Sequence, residues 1–182
     1  MGEVTTLPRG RDFTREDLEA MPDDGNRYEL VDGALVVTPS PRLPHQGVVG
    51  ELYVLLRAQC PDDHRVYVAP LDITLSSNTV LQPDLLVTTA AQASGQVHEG
   101  VPVLAVEVLS PSTRHIDLGL KRSRYEVAGC RCYWVVDPEG PSLRAWELEA
   151  GAYREVASVT GSEAAELVLP FPVRVVPADL VR

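Results

Sequence analysis

Between Val101 and Leu109 the chain reads Val-Pro-Val-Leu-Ala-Val-Glu-Val-Leu, a nearly continuous apolar run interrupted by Glu107. A run this short, without polar alternation, reads as a central strand buried on both faces. The chain must therefore cover both sides of a sheet, which points to a mixed α/β layer arrangement. Its 182 residues suffice for one domain with a real core and are short for two, so residues 1–182 are expected to form a single domain.

The flanking sequence supplies the other layers. Phe13 to Ala20 reads as a short helix capped by Thr14, ended by the Pro, Asp and Gly of Met21 to Gly25. Tyr28 to Val31 and Ala34 to Val37 flank Asp32-Gly33, a dipeptide that tolerates positive φ and so predicts a two-residue hairpin. Val48, Val49, Leu52, Leu55 and Leu56 recur at three-to-four spacing, which predicts an amphipathic helix over His45 to Cys60 packed on a sheet. Strands are expected at Arg65 to Val68, Leu71 to Leu75, Asp84 to Thr88 and Val101 to Leu109. A helix over Arg114 to Ala128, stopped by Gly129, leads to a strand at Cys132 to Asp137. Leu143 to Leu148 and Tyr153 to Val159 form a predicted hairpin turned at Glu149 to Gly151, and Leu167 to Val176 a last strand.

Composition narrows the class. A hydrophobic fraction of 45% with 23% charged residues is that of a soluble globular protein. No apolar run approaches the roughly 20 residues of a spanning helix, and the N-terminus lacks a basic segment followed by an apolar one, so a cytoplasmic protein is expected. Met1 to Thr6 formally fits a myristoylation pattern, but nothing else in the chain suggests a membrane. Cys60, Cys130 and Cys132 do not show zinc spacing and read as reduced thiols. The net charge of −10 argues against tight non-specific binding of a phosphate backbone by the monomer. Arg114, Lys121, Arg122, Arg124 and Arg131 fall in one stretch, either a local basic face or an ordinary solvated one.

Glu107 is the chemical anomaly. An unpaired charge in a core strand costs several kcal/mol, so it requires a cation, a metal or a raised pKa. An ion pair with an arginine would satisfy it as well as a metal would. Asp84 opens a second strand after Gln82-Pro83. Two carboxylates on neighbouring strands offer hard oxygen ligands suited to Mg²⁺ or Mn²⁺ with water in the other positions. Asp117, Lys121 and Tyr125 share one helical face at i, i+4 and i+8, which fits a surface Asp–Lys pair or a lysine directed at the carboxylates.

Taken in order, Tyr28-Glu-Leu-Val-Asp-Gly, His45, Pro83-Asp84, Glu107-Val-Leu-Ser-Pro-Ser-Thr, Asp117, Lys121, Tyr125 and Tyr133-Trp-Val-Val-Asp-Pro resemble the Uma-type branch of the PD-(D/E)XK restriction-endonuclease-like superfamily. The resemblance implies a restriction-endonuclease-like core, a central mixed sheet flanked by helices, with Asp84 and Glu107 as metal ligands. The superfamily's usual lysine lies two residues past the second carboxylate, where this chain has Leu109; Lys121 fits a lysine moved to the following helix. Glu29 and His45 match positions that line the site in this branch, although Glu29 could equally decorate the hairpin and His45 cap a helix or sit at the core edge. Tyr133 and Trp134 read as core aromatics.

The expected activity is metal-dependent hydrolysis of phosphodiester bonds in DNA by a homodimer. Asp84, Glu107 and the Val108 carbonyl would hold one Mg²⁺ or Mn²⁺, and Lys121 would orient the attacking water or stabilise the transition state. The competing readings are a nuclease-fold binding or regulatory module with an impaired site, and a protein whose Glu107 pairs with an arginine and binds no metal.

Overall fold

A computed structural model describes residues 5–7, 11–94, 98 and 100–181, the first three by backbone alone. Residues 1–4, the bulk of the myristoylation-like pattern, lie outside the described residues. No helix among the described residues is long and apolar enough to cross a membrane.

A six-stranded mixed sheet organises the molecule around the apolar run. The run forms β8 (Leu104–Val108), flanked by β7 (Leu85–Thr89) on one side and β9 (Cys132–Asp137) on the other. β7 is antiparallel to β8 and is in turn paired with the edge strand β4 (His64–Val68). β9 runs parallel to β8, as a strand–helix–strand crossover requires, and carries the hairpin of β10 (Ser142–Glu149) and β11 (Ala152–Thr160). Successive residues of a strand face opposite sides. Leu104, Val106 and Val108 therefore join Trp134 and Val136 beneath α2 (Leu43–Gln59), whose Val48, Val49, Leu52 and Leu56 close that core. Ala105 and Glu107 face the other side, beside Tyr133 and Val135.

That second side is covered by a smaller antiparallel sheet and a helix. The smaller sheet has the order β1 (Thr5–Leu7), β3 (Ala34–Thr38), β2 (Arg27–Val31), β6 (Thr79–Leu81), β5 (Ile73–Ser76). Its β2–β3 turn has φ of 50° at Asp32 and 76° at Gly33, the two positive values that a primed turn demands. A Cβ on Gly33 would meet Asp12 Cβ at 2.6 Å, so the turn also needs glycine for close packing. Preceding it, α1 (Arg15–Glu19) starts from Thr14 in a capping box with Asp17. The covering helix is a π-helical turn over Ile116–Lys121 that continues as α3 (Arg122–Ala128) and ends on Gly129 in the left-handed region, φ 86°.

Three expectations need correction. The helix predicted over Arg114 to Ala128 spans those residues, but Ile116–Lys121 within it is π-helical, a distinction that apolar periodicity does not encode. The strand predicted over Leu167 to Val176 is two short strands, β12 (Ala165–Leu167) and β13 (Val173–Val175), because Leu169-Pro-Phe-Pro172 removes two backbone donors between them. The Arg114 to Arg131 stretch, open to reading as a basic face or a solvated one, does not present five free cations. Lys121 is buried, Arg114 pairs with Asp137, Arg124 pairs with Asp32 and Arg122 lies over the Trp146 ring. β1 and β6, each three residues long, were too short to leave a pattern.

Candidate active site

Strand register brings the two predicted carboxylates together. Leu85 stands opposite Val106 and Leu86 opposite Ala105, so extending the pairing by one residue sets Asp84 beside Glu107. Asp84 Oδ2 accepts the Val108 N–H at 2.8 Å, which ties it to the backbone of the strand that carries Glu107. Both are buried, Asp84 to 3% and Glu107 to 0% residual exposure. Pro83 precedes Asp84, and the Asp84 carbonyl accepts the Ala69 N–H at 3.0 Å, fixing the chain where it enters β7.

Lys121 also arrives at Glu107. Its Nζ lies 2.9 Å from Glu29 Oε1, 3.2 Å from Glu107 Oε1 and 3.4 Å from Asp117 Oδ1. The ammonium thus sits among three carboxylates from β2, β8 and the π turn. Lys121 and Asp117 are both buried, so the pair is not the surface contact that their spacing also allowed. Glu107 is paired with a lysine rather than the arginine of the competing reading. Glu29 is buried too, and receives the Gln82 N–H at 2.8 Å as well as the lysine. His45 does not cap its helix; its Nε2 lies 3.2 Å from Asp84 Oδ2.

The electrostatics separate the acids. Burial opposes ionisation of Glu29, but Lys121, Arg27 and the Gln82 N–H outweigh it and hold its pKa below the ordinary value. Burial likewise opposes ionisation of Asp84, yet His45, Arg27 and the Val108 N–H pull it well below the usual carboxylate range. Glu107 goes the other way. Burial dominates, Lys121 offsets it only in part, and the charges of Asp117, Asp84 and Glu29 push it further up. Asp117 is raised for the same leading reason. Burial works against the charge on Lys121, but Glu107, Glu29 and Asp117 raise its pKa above the ordinary value. Lys121 is therefore an ammonium, suited to orienting or stabilising negative charge and not to removing a proton.

A family model described as "Uma2: Putative restriction endonuclease" matches residues 15–179. The chain belongs to the Uma2 family. A crystal structure from Anabaena variabilis, described as "a putative nuclease belonging to DUF820", shares the fold at a TM-score of 0.73 and 15% identity, covering 92% of this chain and 97% of that one. No curated protein matches the sequence. The Uma2 match spans every residue of the cluster, from Arg27 to Lys121.

The cluster opens on one side. A cleft of about 1090 Å³ is lined by Arg27, His45 and Asp84, with Pro39, Pro44 and Pro111 among its rigid walls. Glu29, Glu107 and Lys121, each no more than 1% exposed, lie behind them. Arg27 is the functional-looking residue that sequence reasoning missed: its Nη1 donates to Asp84 Oδ1 at 2.9 Å. The available signal was its position two residues before Glu29, which puts both on one face of β2. Asp117 was placed on the right helical face and paired with the lysine, but as a surface contact rather than as a member of the buried cluster. Tyr133 Oη donates to the Asp117 carbonyl at 2.7 Å and packs against Tyr125, so Tyr133 and Trp134 are core aromatics, as expected.

Proposed function

We propose that this Uma2 protein is a metal-dependent endonuclease that hydrolyses phosphodiester bonds in DNA. The observation that carries the reading is the juxtaposition of Asp84 and Glu107 on β7 and β8 with the Lys121 ammonium 3.2 Å from Glu107. Among the described residues no group of three or more His, Cys, Asp and Glu side chains is arranged to hold a metal. A hard ion bound by two carboxylates, water and substrate oxygen needs no such group.

The donor set fits a divalent cation on two further counts. Glu107 Oε2 and Glu29 Oε2 are buried without a hydrogen-bond partner, the second with Arg27 Nε at 3.8 Å, and such oxygens are costly unless something positive reaches them. In addition, among the described residues four buried carboxylates, Glu29, Asp84, Glu107 and Asp117, face two permanent cations, Arg27 and Lys121. In this reading Asp84, Glu107 and the Val108 carbonyl would hold Mg²⁺ or Mn²⁺. A divalent ion bound there supplies a water of lowered pKa and neutralises charge on the phosphodiester.

The chain's own groups do the rest. Asp84 is aimed by the Val108 N–H and flanked by His45 at the cleft. Lys121 stabilises charge next to Glu107, and Glu29 fixes the lysine. The protein acts as a single domain in the cytoplasm, and as a homodimer, because an acidic monomer of this size has little surface with which to hold a duplex.

One observation favours a binding module without hydrolysis: both Asp84 oxygens are already engaged, by Arg27, His45 and the Val108 N–H. Supercoiled plasmid incubated with Mg²⁺ or Mn²⁺ separates the two. The nuclease reading expects nicking by the wild type and a loss of at least a hundredfold in Asp84→Asn and in Glu107→Gln. Equal nicking by all three proteins would refute the assignment, and DNA binding without nicking by the wild type would establish the module.

A further inference from the structure

Arg27 is the cleft-facing cation of the cluster. It opens β2, lies on the same face as Glu29, and keeps about a fifth of its side chain exposed in the cleft. Its Nη1 makes two contacts, with Asp84 Oδ1 at 2.9 Å and with the Gln82 carbonyl at 3.3 Å, and its Nε lies 3.8 Å from Glu29 Oε2. Asp84 Oδ2 is held from the other side by the Val108 N–H at 2.8 Å and by His45 Nε2 at 3.2 Å. Oδ1 is thus the oxygen whose partner is a side chain with somewhere else to go. Lys121 has no such freedom, enclosed by three carboxylates and 1% exposed.

We propose that Arg27 is the resident counter-cation of Asp84, and that it exchanges Asp84 for a substrate phosphate in the cleft when a divalent ion takes the carboxylate. The inference rests on the reading of Asp84 and Glu107 as metal ligands. Two cations compete for one oxygen, and the repulsion between them favours the departure of the one that can move. The guanidinium released into the cleft keeps its charge and a planar fork of donors that matches two phosphate oxygens. The positive charge that holds the carboxylate in place before metal binding is then the charge that binds substrate afterwards. No bond to carbon, oxygen or phosphorus is made or broken in this exchange.

The consequence is a split that a structural arginine would not produce. Removing Arg27 relieves the competition for Asp84, so metal binds more tightly, while phosphate loses a partner and binds more weakly. Calorimetric titration of Mn²⁺ into the wild type, Arg27→Met and Arg27→Lys is expected to show at least a tenfold gain in affinity for Arg27→Met. Arg27→Lys, which keeps a charge but loses the fork, should lie between. Anisotropy of a fluorescent oligodeoxynucleotide in Ca²⁺ should show binding at least fivefold weaker in Arg27→Met than in the wild type. Should Arg27→Met prove unstable in chelator, its melting temperature is expected to rise more on Mn²⁺ addition than that of the wild type, because tighter binding to the folded state stabilises it more.

Equal or weaker Mn²⁺ affinity in both variants, with the wild type binding Mn²⁺, would overturn the exchange and leave the metal assignment standing. Binding by Arg27→Met alone would support it in its strongest form. No Mn²⁺ binding by wild type or variants would remove the metal assignment and the exchange together.

Discussion

The two faces of the six-stranded sheet are built from alternate residues of the same strands and solve opposite problems. Beneath α2, Leu104, Val106 and Val108 meet Val48, Leu52 and Leu56 in a core of apolar side chains. On the other face Ala105 and Glu107 meet Tyr125, Tyr133 and a lysine shared by three carboxylates. Both faces are equally sealed from water: Leu52 and Glu107 are each 0% exposed. Burial on the first face stabilises the fold at roughly 25 cal/mol per Å² of apolar surface. Burial on the second is costly for every charge not closely paired, and the surplus of carboxylates there sets this face apart from the first.

Lys121→Met tests the polar face hardest. The substitution preserves much of the side-chain volume and leaves Glu29, Glu107 and Asp117 without the ammonium that all three approach within 3.4 Å. Breaking a buried pair from one side typically costs about 3–5 kcal/mol, and three abandoned acids place this case at the upper end. Urea denaturation should show that loss. A decrease below about 1 kcal/mol would mean that the cluster is hydrated like a surface, and the contrast between the faces would fail.

The matching substitution on the apolar face is Leu52→Ala, expected to cost about 3 kcal/mol through lost transfer energy and the cavity left under α2. Its signature is indifference to the site. Mn²⁺ affinity, measured by calorimetry, should remain within twofold of the wild type. A larger change would show that the two faces are mechanically coupled through β8.

The same contrast explains what the sequence made legible. The apolar face was readable from periodicity alone: the stripe of α2 and the runs of β7, β8 and β9 each predict their partner surfaces, and their strands fall within a residue or two of the expected bounds, the outer ends of the Val101 to Leu109 run excepted. Hairpin geometry followed from Asp32-Gly33 in the same local way. On the polar face, Glu107 was visible because it violates a local rule, and Asp84 because a second carboxylate opens a neighbouring strand. The involvement of Lys121 was suggested chiefly by family resemblance, because the route of a long side chain from a following helix is a tertiary fact. Arg27 was legible neither way, and Asp117 only as a surface partner of Lys121. Arg27 looks ordinary in its own element, an arginine at a strand end, and acquires meaning only from a partner 57 residues away, whereas the spacing of Asp117 from Lys121 was visible and its burial was not.

Glu107→Gln should have the smallest effect on stability, and its smallness is the sharpest statement about the polar face. In a simple ion pair, neutralising either partner is destabilising. Here the acids outnumber the cations, and the ionisation of Glu107, like that of Asp117, is opposed by burial and by neighbouring carboxylates, three of them for Glu107. Glutamine keeps the shape and the acceptor that faces Lys121, while the lysine retains Glu29 at 2.9 Å and Asp117 at 3.4 Å. Denaturation should therefore move by no more than about 1 kcal/mol in either direction, as expected when a strained charge is replaced by a neutral isostere. A loss comparable to that of Lys121→Met would show that Glu107 belongs to a closed pair, with its charge fully used by the fold. Near-neutrality, together with loss of nicking, would show that the fold does not need this charge and the chemistry does.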